Sequence, residues 1–125
     1  MGNVPSSMTP LIDTVSNITN YKALIPWGTY KAENTTLSLS ESVRNYLFLF
    51  FKCGSFDASA PSGMSFNPIF TPLWVVGEGY VISYVFQTLS VALYVQLVDE
   101  THIKILKTTD TNRAMIRQVF GFSHV

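Results

Sequence analysis

The sequence predicts an all-β fold, a β-sandwich or jelly-roll-like domain, with a short N-terminal helix or stalk segment ahead of it. Three observations carry that reading. After Trp27, apolar and polar residues alternate with a period of two over several stretches, as half-buried strands require. The apolar runs are rich in Val, Ile, Tyr and Phe, side chains that fit a pleated surface. Turn residues interrupt these runs at short intervals, the spacing of two packed antiparallel sheets. At 125 residues the chain suits one domain of ordinary size. Its organisation reads as a linker or stalk over 1–25 and a sandwich over 26–125.

The first segment differs from the rest. Val4-Pro5-Ser6-Ser7 reads as linker, and Thr9-Pro10 offers a helix cap followed by proline at the first helical position. Leu11, Val15, Ile18 and Ile25 then follow at spacings of four, three and seven, with Lys22 on the same register. This is a heptad pattern about two repeats long. It fits either a short segment packed on the domain or the end of an oligomeric stalk, with those four apolar residues as its seam.

The strands are expected in order. Residues 27–32 form the first, and Glu33-Asn34 turns the chain. Residues 35–39 alternate, with Leu37 and Leu39 on one face. Residues 43–53 read as one strong strand, apolar on both faces and therefore central and covered on both sides. Residues 54–63 are a Ser, Ala, Gly and Pro loop. Pro68 and Pro72 confine residues 64–74 to short extended pieces at an edge or in a loop. Gly77-Glu78-Gly79 is a turn, and strands follow over 80–87, 90–98, 101–107 and 114–122, with turns at Asp99-Glu100 and over 108–112.

Composition narrows the function. Only 13% of residues are charged against 47% hydrophobic, where an average domain carries roughly 25% charged residues. A small chain so poor in charge is expected to cover part of its surface with copies of itself or a partner. Eight basic and eight acidic residues cancel, which leaves no electrostatic case for nucleic acid. Cys53 stands alone, so neither an internal disulfide nor a cysteine-based zinc site is expected. Met1 to Pro10 lacks the basic and apolar regions of a signal peptide. Residues 79–98 carry no charge and match the length of a spanning helix. Their Ser, Gln, Val and Tyr content favours two strands and a tight turn over membrane insertion.

No catalytic constellation emerges. Most of the eight acids fall in expected turns, and His102 and His124 have no second ligand at metal spacing. No nucleophile elbow or phosphate-cradling glycine loop occurs. Neither enzymatic activity nor a cofactor or metal is expected. The aromatics are the remaining resource. Phe56, Phe66, Phe70 and Trp74 lie in or beside the irregular stretch over 54–79. They either plug the end of the sandwich or form a ligand-binding surface.

Three motifs together carry a resemblance. They are Trp27-Gly28-Thr29-Tyr30; Thr36-Leu37-Ser38-Leu39-Ser40-Glu41-Ser42-Val43 running into Asn45-Tyr46-Leu47-Phe48-Leu49-Phe50; and Ile116-Arg117-Gln118-Val119-Phe120-Gly121-Phe122 after the turn Asp110-Thr111-Asn112. Over about residues 27–122 the chain resembles the small C-terminal domains of phage and prophage tail fibres and receptor-binding proteins. The resemblance implies a trimeric β-sandwich at a fibre tip that binds a host-surface glycan or protein. It implies no catalytic residues. It places the chain in a virion, made in the bacterial host cytoplasm, with other virion proteins as partners. Such domains cap long proteins, whereas this chain starts at Met1 with little room for a stalk. A virion decoration or assembly protein, or a carbohydrate-binding adhesion module outside phage, is the alternative.

Overall fold

The computed structural model describes residues 21–55, 64–86 and 88–123. Leu11, Val15, Ile18 and Phe56, with the expected linker and helix, lie outside the described residues. Eight strands are described, in two antiparallel sheets of four. One sheet orders β1 (Tyr21–Ile25), β8 (Met115–Phe122), β3 (Phe48–Gly54) and β4 (Met64–Phe70). The other orders β2 (Thr35–Ser38), β7 (His102–Thr108), β6 (Leu89–Asp99) and β5 (Gly79–Phe86). The chain crosses between sheets from β1 to β2, β2 to β3, β4 to β5 and β7 to β8, and forms hairpins elsewhere.

Alternation builds the core. Leu49, Phe51 and Cys53 of β3 face inward, as do Leu93, Val95 and Leu97 of β6 and Ile103 and Ile105 of β7, all fully buried. A sandwich of this kind is held by interdigitation of its two inner faces. The uncharged stretch over 79–98 is the β5–β6 hairpin, paired from Gly79 opposite Gln96 to Phe86 opposite Leu89. Among the described residues no helix is long and apolar enough to cross a membrane.

Several expectations are corrected. Residues 27–32 form no strand. Tyr30 makes a single bridge to Ile116, because Pro26 and Gly28 interrupt the extended run. The expected strand over 43–53 is split. Val43–Asn45 is a 3-10 turn capped by Ser42, whose hydroxyl accepts from Arg44 N at 3.1 Å. Arg44 then donates to the carbonyls of Thr71 and Trp74, and Thr71 to those of Tyr46 and Leu47. This corner ties the start of β3 to the end of β4. Residues 64–70 run as one continuous edge strand despite Pro68, which the edge tolerates.

Ile25, expected on the seam of a stalk, is a strand residue of the sandwich. It lies in β1 opposite Val119 and is 2% exposed. The sandwich therefore includes Tyr21–Ile25, and the expected boundary between 25 and 26 cuts through its first sheet. One glycine matters to the packing: a Cβ at Gly121 would stand 2.6 Å from the Tyr46 ring, which lies over β8 at that point.

Candidate functional site

β3 faces the core with its odd-numbered residues and leaves Phe48, Phe50 and Lys52 on the outer face. Register carries this face across the sheet. Phe122, Phe120 and Gln118 of β8 stand opposite Phe48, Phe50 and Lys52. Phe70, Pro68 and Phe66 of β4 stand opposite the same three residues. Tyr21 of β1 stands opposite Phe122. The rings touch in sequence from edge to edge. Tyr21 stacks on Phe122 at 5.4 Å, Phe122 meets Phe50 at 4.3 Å, Phe50 meets Phe48 at 6.0 Å, and Phe48 meets Phe70 at 5.3 Å. Phe120 joins through Tyr21 at 5.9 Å. Tyr21 and Phe70 are 49% and 38% exposed, so the band meets solvent at both sheet edges.

The second sheet presents a different outer face. Ser83, Ala92, Gln96, Lys104 and Thr36 share it with Val81, Val85 and Tyr94, the mixed surface usual for a solvated sheet. Among the described residues only the first sheet carries contiguous rings on its outer face. Extended apolar patches on small proteins mark interaction sites, whereas scattered exposed valines are ordinary.

The two ends of the aromatic face differ in chemistry. At one end the Lys52 ammonium lies 5.2 Å from the centre of the Trp27 ring and 5.5 Å from that of Phe66. The Arg117 guanidinium lies 4.6 Å from the Trp27 ring and donates to the Ser55 carbonyl at 3.1 Å. At the other end a groove of about 390 Å³ runs between Pro68, Phe70, Leu73 and Tyr80, with Glu78 as its charged group. A second hollow of about 370 Å³, between Ser83, Val85, Ala92 and Thr109, has no charged side chain among the described residues of its lining.

Of the aromatics expected to bind ligand, Phe66 and Phe70 stand on this outer face. Trp74 does not. It is 2% exposed, packs edge-on against Phe51 and Tyr80, and donates its ring N–H to the Glu78 carbonyl at 3.0 Å. Its sequence context is irregular, but the corner after β4 turns it inward. Trp27, Lys52 and the rings of Tyr21, Phe48, Phe50, Phe120 and Phe122 were not among the expected site residues. The four phenylalanines of β3 and β8 are signalled by the i, i+2 spacing of Phe48/Phe50 and Phe120/Phe122, a spacing that fits a core face equally well.

Asp99, Asp110 and Tyr84 have structural partners. Asp99 is held below the usual carboxylate range, first by His102 at 2.8 Å and then by the Thr101 amide. Asp110 is lowered in the same way, first by the Asn112 amide and then by Arg113. Both order turns. Burial pushes the Tyr84 phenol up, and it donates to the Arg113 carbonyl at 2.6 Å. Among the described residues no three His, Cys, Asp or Glu side chains converge as metal ligands.

Cys53 is fully buried, and burial pushes its thiol up to about 12. The thiolate is the reactive form. Titration with an aromatic disulfide reagent at pH 8 is therefore expected to give no fast reaction in the native protein and one thiol per chain in denaturant. Rapid native labelling would place Cys53 at the surface.

The chain matches no protein-family model, and no curated protein is significantly similar to it in sequence.

Proposed function

We propose that the chain is a non-enzymatic phage virion module, a tail-fibre tip or receptor-binding domain, that associates with copies of itself through the aromatic face of the first sheet. The observation that carries this reading is the unbroken ring series from Tyr21 to Phe70, found on one outer face and not the other. Covering such rings on association is favourable by roughly 25 cal/mol per Å² of apolar surface removed from water, and aromatic pairs add to that. The low charge content and the likeness of the three motifs to fibre-tip domains point the same way. The same resemblance supplies the trimeric state, the virion setting and a host-surface glycan or protein as ligand.

Sedimentation equilibrium of the intact chain over a range of concentrations tests the reading. A mass three times 14.0 kDa is expected. A monomer at every concentration would overturn self-association and leave the adhesion-module alternative. A trimer whose removal from the particle leaves host attachment intact would favour a decoration protein.

A further inference from the structure

The cationic end of the aromatic face holds chemistry that self-association does not use. Phe66 is 57% exposed and Trp27 45%, and both rings flank the Lys52 ammonium within 5.5 Å. A cation over ring faces is held in place by the ring quadrupoles but keeps hydrogen-bond donors for another partner. No carboxylate among the described residues pairs with Lys52. Trp27 is itself positioned. Arg117 lies against its ring, and the amide of the next residue, Gly28, donates to the Arg117 carbonyl at 2.8 Å. Gln118, directly opposite Lys52 on β8, is half-buried on the same face and adds an amide donor and acceptor.

We propose that Trp27, Lys52, Phe66 and Gln118 form a binding site for an acidic saccharide of the uronic or sialic acid class. The exposed rings stack on the apolar faces of the sugar, the Lys52 ammonium takes its carboxylate, and Gln118 bonds its hydroxyls. A neutral sugar would use the rings and leave the ammonium unmatched; a carboxylate adds a charge-assisted hydrogen bond. A protein strand is a poorer match. Peptides add to sheet edges through backbone hydrogen bonds, and on the adjacent edge strand β4 Pro68 has no N–H to give. The inference rests on the reading of the chain as a surface-binding module and names the class of its ligand.

The test is fluorescence titration of the intact protein. Trp27 is an exposed reporter and Trp74 a buried one. The probes are sialyllactose and a galacturonic acid tetrasaccharide, each beside its carboxyl-reduced form, with tetraglutamate as a peptide control. The acidic sugars are expected to quench emission and to bind about tenfold or more tightly than their reduced forms, the effect of one charge-assisted hydrogen bond. The preference should weaken as salt rises. Lys52→Met should abolish it, Lys52→Arg should keep it, and Lys107→Met on the other sheet should not change it. Equal binding of reduced sugars, tetraglutamate binding as tightly as the sugars, an unaltered Lys52→Met protein, or no binding at all would each overturn the site. Measuring solution mass on the same samples separates the two readings. An intact oligomer without acidic-sugar preference sinks the site alone, and a monomer that keeps the preference sinks self-association alone.

Discussion

Replacing Trp74 with alanine is expected to remove about 3–5 kcal/mol of stability, the range for truncating a large buried aromatic. The ring is 2% exposed and meets Phe51 and Tyr80 at 6.3 and 6.4 Å. Alanine would leave a void between the sheets and remove the indole N–H that the Glu78 carbonyl accepts at 3.0 Å, leaving that carbonyl the Leu97 amide at 3.2 Å. The damage should spread, because Arg44 holds the Trp74 carbonyl from the opposite side of the corner. Domains of this size are stable by about 5–15 kcal/mol, so the loss is a large share of the whole. Trp74→Phe separates the causes. It keeps most of the packing and gives up the hydrogen bond, at a smaller cost. Urea unfolding at fixed protein concentration should show a lower midpoint with an unchanged slope. A loss below about 1 kcal/mol for the alanine variant would place the ring outside the core.

The second large effect concerns the assembly. Tyr21→Asp combined with Phe70→Asp puts a carboxylate at each edge of the ring series, on β1 and β4. Both side chains are well exposed in the single chain, so folding should tolerate the change. A second copy docked on the face would bury both charges without partners, at about 3–5 kcal/mol where one partner of a buried pair is missing. Association is therefore expected to weaken at least about a hundredfold, seen as a shift from oligomer to monomer in sedimentation. Retention of the oligomer with an unchanged melting profile would show that copies meet elsewhere. Ser83→Asp on the outer face of the second sheet is the matched control and should leave the mass unchanged.

Much of the sandwich was legible from the sequence because period-two alternation is a local signal. The β5–β6 and β6–β7 hairpins fell where polar breaks and turn residues placed them. The reading failed where distant residues decide. Ile25 fits a heptad by spacing, yet its strand exists only because β8 lies beside it. Residues 43–53 look like one covered strand because both faces are apolar. In the fold only the odd-numbered face of β3 is core, and the even-numbered face belongs to the aromatic band. Sequence cannot distinguish a ring that meets another sheet from a ring that meets solvent. Trp74 shows the converse. Its neighbourhood of prolines and glycines suggested a loop, but the carbonyls gathered by Arg44 and Thr71 turn it inward. Trp27 and Lys52 are 25 positions apart, and the backbone bonds of Gly28 and Tyr30 to β8 bring their segments together.

The position of β8 also sets a schedule for synthesis. It is the last of the described strands to leave the ribosome, yet it lies between β1 and β3 and pairs with both. Until it emerges, β1 has no neighbour in its sheet, and the inner face of β3 lacks Ile116 and Val119 beside it. The local hairpins β3–β4 and β5–β6–β7 can form earlier, since their partners are close in sequence and little loop entropy opposes them. The first sheet closes only when residues just over a hundred positions apart, Tyr21 and Phe122, come together. Closure of the first sheet therefore waits for β8, and a chain stalled before Met115 would hold a finished hairpin sheet beside an open one with its rings uncovered.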